Sequence, residues 1–274
     1  MSSDSKKKVA MVTGASSGIG KAIVQKLLKE GWIIYGAARR VEKMADIEAM
    51  GAKVLSLDVT DDASMTTAVQ TLLSAEGQID ALVNNAGYGS YGALEDVPLQ
   101  EAKRQFDVNV FGLMRLTQLV LPSMRMAKSG TIVNISSMGG RIWMPIGGWY
   151  HATKHAVEVL SDALRMETEP FGIRVVVVQP GAIESEWSSI AAQTLRENSQ
   201  GSAYQSTVEP MAKVLEDYQN ASSPNVVAKA VSKAVNSRHP KRRYATPMDA
   251  KLYIFLHWLL PDWAWERLIA SAIQ

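Results

Sequence analysis

A chain of 274 residues with 47% apolar and 20% charged residues can bury a large core, which excludes a disordered chain and fits one α/β domain of ordinary size. The formal charge of +2 is too small for a nucleic-acid footprint, and the early basic run Lys6 to Lys8 leads straight into an apolar strand and reads as solvated. Cysteine is absent, so neither a disulfide framework nor thiolate chemistry is available.

Met1 to Lys8 carries no apolar leader, and a cytoplasmic location is therefore expected. Residues 9–13 then read as a first strand, residues 18–29 as a helix and residues 32–37 as a second strand, together a βαβ unit. Compact apolar runs follow at residues 54–57, 81–83, 131–135 and 175–178, each of the kind buried on both faces of a parallel sheet. Six strands with helices between them predict a doubly wound α/β parallel sheet, whose ligand lies beyond the carboxyl ends of the strands.

The rhythm changes after Gln179. Residues 184–223 carry scattered polar residues and two short predicted helices, 190–197 and 211–218, and this long excursion is expected to form a substrate lid. Residues 246–274 are predicted as a C-terminal helical extension. Leu252, Phe255, Leu256, Leu259, Trp263 and Leu268 fall at spacings that suit apolar helix faces. His257, Pro261 and Asp262 interrupt this stretch well before the roughly 20 apolar residues of a membrane span. Packing on the lid or on another subunit is expected to cover those faces, with weak adsorption to a membrane interface as the lesser reading.

Two motifs carry chemistry. The first strand runs into Thr13-Gly14-Ala15-Ser16-Ser17-Gly18-Ile19-Gly20, which opens a helix and offers free backbone N–H groups at the positive end of its dipole, where a pyrophosphate fits. Gly14 and Gly18 allow the tight turn and close approach to the anion, and Gly20 allows close packing of helix on strand. After the second strand there is no acid to bind a ribose hydroxyl. Arg39 and Arg40 stand there instead, and paired guanidinium groups suit the extra phosphate of NADP.

The second motif combines Asn134-Ile135-Ser136-Ser137-Met138-Gly139 with Tyr150-His151-Ala152-Thr153-Lys154. On a helix over residues 149–167, Tyr150 and Lys154 share one face, so an ammonium sits beside a phenol and is expected to lower its pKa. Tyr150 would then trade a proton with a carbonyl oxygen that the Ser137 hydroxyl polarises. Taken singly, each piece is an ordinary surface pair or helix cap.

With these residues in view, the sequence resembles the short-chain dehydrogenase/reductase family in its form of about 250 residues. Four motifs carry the resemblance: the glycine turn from Thr13 to Gly20, Asn84-Asn85-Ala86-Gly87, Ser137 with Tyr150 and Lys154, and Pro180-Gly181. It covers about residues 8–245. The resemblance implies a Rossmann fold in one dinucleotide-binding domain over residues 1–274, with NADP the cofactor expected from the Arg39-Arg40 pair. It implies that Asn109 completes a catalytic tetrad by holding a water in the relay to Lys154, which also binds the nicotinamide ribose. It further implies nucleotide contacts from Gly14, Ser16, Ser17, Gly18, Ile19 and Gly20, from Asp58 and Val59 at the adenine, and from Asn85, Ala86 and Gly87 along the ribose. Tyr150, Lys154, Pro180, Gly181, Ile183 and Ser185 complete that set at the nicotinamide end. A homodimer or homotetramer is implied as well, and no metal is expected.

The substrate wall is assigned from large apolar residues near the motif: Met138, Trp143, Met144, Pro145, Trp149 and Trp187, beside Ser137 and Tyr150. Such a wall suits a bulky hydrophobic carbonyl or alcohol, steroid-like, retinoid-like or aromatic. The alternatives are a catalytically inactive NADP-binding regulator and an NAD-preferring dehydrogenase of small polar alcohols.

Overall fold

The computed structural model describes residues 7–217 and 221–273. Residues Met1 to Lys6, the end of the expected lid helix at Tyr218 and the last residue of the tail, Gln274, lie outside them.

Seven strands form one sheet: β1 (Val9–Thr13), β2 (Ile33–Ala38), β3 (Lys53–Ser56), β4 (Ala81–Asn84), β5 (Gly130–Ile135), β6 (Ile173–Pro180) and β7 (Arg243–Thr246). All pairings are parallel, in the order β3-β2-β1-β4-β5-β6-β7. The expectation of six strands is corrected by β7. Its four residues, Arg-Tyr-Ala-Thr, are only half-buried at the sheet edge and too few to display a period, whereas β1, β4 and β5 are buried throughout.

The helices are α1 (Gly18–Lys29), α2 (Ala45–Ala49), α3 (Asp62–Glu76), α4 (Leu99–Phe106), α5 (Leu113–Ala127), α6 (Gly148–Thr168), α7 (Glu186–Asn198), α8 (Gln205–Asp217), α9 (Asn225–Asn236), α10 (Met248–Leu259) and α11 (Asp262–Ile273). On one face of the sheet, Ile23 and Leu27 of α1 and Val227 and Val231 of α9 pack on Val12, Val83, Val133 and Val176. On the other face, Leu72 of α3, Leu116 and Val120 of α5 and Leu164 of α6 pack on Met11, Leu82, Ile132 and Val175. Each side chain so buried contributes about 2 kcal/mol, and the two layers together hold the sheet rigid beneath the site.

A third cluster caps the carboxyl end of the strands: Leu195 of α7, Met211 and Leu215 of α8, and Trp265 and Ile269 of α11 pack with Met138, Ile142 and Tyr150. The helices α7 and α8 are longer than their polar sequence suggests. α7 begins four residues early because Ser185 takes an extended N-cap conformation and Glu186 follows in the first turn, where a carboxylate suits the dipole. In the tail, Trp265, Ile269 and Ile273 are buried and Leu256 and Leu268 are partly covered. Leu252, Phe255, Leu259 and Trp263, expected to be covered by the lid or another subunit, are exposed in this single chain, while α11 packs its Trp265 side with α8. Among the described residues no helix is long and apolar enough to cross a membrane.

Strand order reverses direction between β1 and β4, and the crevice that opens there is where α/β sheets of this kind take ligands.

Candidate active site

The glycine turn is built by conformation before chemistry. Gly14 (φ +67°) and Gly18 (φ +50°) both adopt left-handed backbone that L side chains avoid. Ser17 is the extended N-cap of α1, makes no side-chain cap bond, and no acid follows in the first turn, so the leading N–H groups face the crevice at the helix's positive end. Thr13 and Asn85 stitch this turn to the loop after β4. Thr13 Oγ1 accepts from the backbone N–H of Asn85 (3.0 Å) and of Ala86 (2.9 Å), and Asn85 Nδ2 donates to the Thr13 carbonyl at 2.9 Å.

Arg39 and Arg40 follow β2 at the same rim. The Arg40 guanidinium donates to Ser16 Oγ at 3.4 Å and to Glu186 Oε2 at 3.3 Å, an exposed pair that water screens. Asp58 stands after β3. Partial burial pushes its carboxyl up, but hydrogen bonds from Thr60 and the charges of Arg39 and Arg104 outweigh this and hold it below its usual value.

At the other end, Ser137 accepts from the Gly139 backbone N–H at 3.0 Å and donates to the Pro180 carbonyl at 3.5 Å. Tyr150 and Lys154 lie one turn apart on α6, both buried. Lys154 Nζ donates to the Ile135 carbonyl at 3.1 Å and lies 5.8 Å from the Tyr150 ring centre. Asn109 sits in a π-helical turn, residues 107–112, between α4 and α5. Its Nδ2 donates to the Tyr88 carbonyl (2.9 Å) and to Thr153 Oγ1 (3.1 Å), and its Oδ1 accepts from the Tyr88 N–H (3.0 Å). That amide therefore ties the loop after β4 to α6. A Cβ on Gly87 would come within 3.0 Å of Asn109 Oδ1 and 3.6 Å of Lys154 Nζ, so the glycine keeps open the space those two groups share.

The expected lowering of the Tyr150 pKa is not what the structure holds. Burial pushes the phenol up to about 12, opposed by the Ser137 hydroxyl. Burial also lowers Lys154 to about 8, and the Glu158 carboxylate one turn on works against that fall. Desolvation wins because no counter-charge touches the phenol oxygen, while the ammonium is turned toward Ile135. Burial likewise takes the neighbouring His151 down to about 4, so it is neutral at ordinary pH.

One cavity of about 740 Å³ joins both ends. Of the expected residues, Gly14, Ser16, Ser17, Gly18, Ile19, Arg39, Arg40, Asp58, Val59, Asn85, Ala86 and Gly87 line its nucleotide end. Ser137, Met138, Met144, Tyr150, Lys154, Pro180, Gly181, Ile183, Ser185 and Trp187 line the rest. Gly20 and Asn109 do not line the cavity. Trp149 does not line the cavity, because one residue before Tyr150 is about 100° away around the helix. Trp143 and Pro145 are also absent from the wall: the Trp143 ring packs edge-on against His257 at 4.3 Å.

Sequence reasoning missed Tyr91, Ile142, His151, Ile190 and Asn198, which line the cavity too. The Tyr91 ring lies 5.6 Å from Tyr150 and 6.0 Å from Trp187, and Asn198 Nδ2 at the end of α7 donates to the Tyr91 carbonyl at 2.8 Å. Only the position of Tyr91, four residues past the Asn85-Ala86-Gly87 run, hinted at this. Among the described residues no group of three or more His, Cys, Asp or Glu could hold a metal ion.

A glycine cradle under an open helix end, with two guanidinium groups at its rim, fits a nicotinamide dinucleotide phosphate end first. The short chain dehydrogenase family model matches residues 8–196. The chain is 36% identical to the 3-ketodihydrosphingosine reductase of Bacteroides thetaiotaomicron, over 93% of each chain. It is 33% identical to the NADPH-dependent 3-dehydrocapnine reductase of Ornithobacterium rhinotracheale, over 97% of each. A solved short-chain dehydrogenase from Streptomyces avermitilis has a TM-score of 0.82 at 36% identity, covering 92% of this chain and 93% of that one. Further structures similar to this chain are complexes with NADP+ or with NADH. The chain belongs to the short-chain dehydrogenase/reductase family of oxidoreductases.

Proposed function

We propose that this protein is an NADPH-dependent reductase of bulky hydrophobic ketones, with Tyr150, Ser137, Lys154 and Asn109 as its catalytic set. The observation that carries this reading is the single cavity that begins at the Gly14–Gly18 turn and the Arg39-Arg40 pair and ends on Ser137 and Tyr150 among Met138, Met144, Tyr91 and Trp187. When bound, the nicotinamide supplies hydride to the carbonyl carbon.

The chain's own residues do the rest. Ser137 donates a hydrogen bond to the carbonyl oxygen and polarises it, and Tyr150 passes its phenolic proton to that oxygen as negative charge develops there. A phenol with its pKa near 12 keeps its proton at neutral pH, so Tyr150 is poised as an acid, the state that reduction needs. Lys154, loaded with a proton below about pH 8, restores that proton from the side of Asn109. The apolar wall excludes water from the transfer and selects substrate by contact area.

Support for the phosphorylated nucleotide comes from Arg39 and Arg40 and from the NADPH dependence of one relative. Support for the substrate class comes from the apolar wall and from two relatives named as reductases of 3-ketodihydrosphingosine and 3-dehydrocapnine. In this reading residues 184–223 act as the substrate lid and residues 246–274 as an extension behind it, in a cytoplasmic homodimer or homotetramer.

Purified protein given NADPH and a panel of ketones is expected to consume NADPH fastest with the large apolar members. No turnover with any member would support a binding-only regulator, and a preference for small polar carbonyls would overturn the substrate class. Arg39→Asp is expected to weaken NADPH about 30-fold relative to NADH, because a charge-assisted contact worth about 2 kcal/mol is replaced by repulsion. Competition titrations measure the ratio, and an unchanged ratio would defeat the choice of nucleotide.

A further inference from the structure

The segment Pro180-Gly181-Ala182-Ile183 carries the chain off the end of β6, stays paired to β7 only at Pro180, and lines the cavity at Pro180, Gly181 and Ile183. Its first residue touches the catalytic site, since Ser137 Oγ donates to the Pro180 carbonyl at 3.5 Å. The rest is gripped from elsewhere in the sequence. Asp249, the second residue of α10, accepts the Ala182 backbone N–H on Oδ2 at 2.8 Å and the Ala250 N–H on Oδ1 at 2.8 Å. Gly181 N–H donates to the Thr246 carbonyl at 2.9 Å, just past the end of the β6–β7 ladder. A Cβ built on Gly181 would stand 2.5 Å from Asp249 Oδ2, so the carboxylate fills the space above the glycine and a side chain there would expel it.

Downstream, Ile183 bridges to Ser222 and the Glu184 N–H donates to the Ser222 carbonyl at 3.1 Å. Asp249 thus joins the C-terminal extension to the inner part of this loop through its side chain. Its carboxylate also suits the positive amino end of α10, so the same group serves helix and loop.

We propose that Asp249 is a positioning residue that sets residues 180–183 against the nicotinamide end of the cavity, so that the C-terminal extension holds one wall of the nucleotide site from outside. The proposal rests on the nucleotide reading above. Its signature is selectivity. The Asp249 carboxylate bonds Ala182 and Ala250 and not the Gly14–Gly18 turn or Arg39, so the nicotinamide half of the ligand should register its loss most.

The test is calorimetric titration of the full chain, as wild type, Asp249→Ala and Asp249→Asn, with NADPH against 2′-phospho-ADP-ribose and with NADH against ADP-ribose. The second member of each pair lacks the nicotinamide. Asp249→Ala is expected to weaken the dinucleotides about tenfold and leave their nicotinamide-free counterparts within about twofold, the loss expected when an ionised acceptor of a backbone N–H is removed. Asp249→Asn keeps one acceptor oxygen and should recover most of that loss, and if the alanine variant does not fold, a selective loss of about threefold in Asp249→Asn is the expected result. Equal weakening of both members of a pair would mark a general loosening and overturn the proposal, as would unchanged affinity throughout. Wild type that binds neither dinucleotide overturns the nucleotide reading and this one with it, whereas wild type that binds and is matched by Asp249→Ala overturns this one alone.

Discussion

Tyr150→Phe is expected to lower kcat for ketone reduction about 10³-fold and to leave NADPH affinity close to that of the parent, the usual scale for removing a positioned proton donor. The substitution deletes one oxygen and keeps the ring, whose packing against Tyr91 at 5.6 Å and Trp187 at 5.3 Å would hold the fold and the apolar wall in place. Tyr150 is buried at 7% exposure where it lines the cavity, so little solvent reaches the place of its hydroxyl. Single-turnover kinetics with bound NADPH separates the chemical step from binding. A variant that reduces ketone at the parent rate would remove Tyr150 from the mechanism, while one that also loses nucleotide affinity would point to collapse of the site.

Gly20→Ala is expected to destabilise the free protein by about 3 kcal/mol and to reduce nucleotide affinity by at least about 100-fold. A Cβ at this position would overlap the Gly14 carbonyl oxygen and stand 2.6 Å from Asn85 Nδ2. The first obstacle is backbone, held by the left-handed Gly14, and the second is an amide already committed to the Thr13 carbonyl. Neither can yield without moving α1 away from the turn, and that movement withdraws the N–H groups meant for a pyrophosphate. Urea midpoints and nucleotide titration measure the two effects. Parent-like stability with parent-like binding would mean that α1 does not approach the turn as described.

Ser137, Lys154 and Asn109 draw their geometry from three separate elements, while the partners of each are mostly backbone atoms. Ser137 is fixed by the Gly139 N–H, Lys154 by the Ile135 carbonyl and Asn109 by both polar groups of Tyr88. A site held this way tolerates change in its apolar wall better than change in its glycines, because a backbone contact moves only when its element moves.

Local order along the chain determined much of this protein without tertiary help. The glycine turn at residues 13–20 is a strand-to-helix junction, and the four-residue step from Tyr150 to Lys154 is one helical turn; both are properties of neighbouring residues. The buried strands announced themselves through unbroken apolar runs, whereas β7, four half-buried residues long, had no period to display. What only the folded chain decided were the contacts between distant residues and the solvent each group keeps. Trp149 fell outside the cavity because of its angle on α6, and Trp265 rather than Trp263 became buried because α11 leans on α8. The phenol of Tyr150 rose in pKa where spacing alone suggested a fall, since burial depends on Tyr91, Met138 and Trp187 arriving from three other segments. Asp249, ordinary in sequence, became a clamp on Ala182 across 67 residues. Spacing dictates which neighbours a residue can face, but desolvation and long-range hydrogen bonds exist only once remote segments have packed.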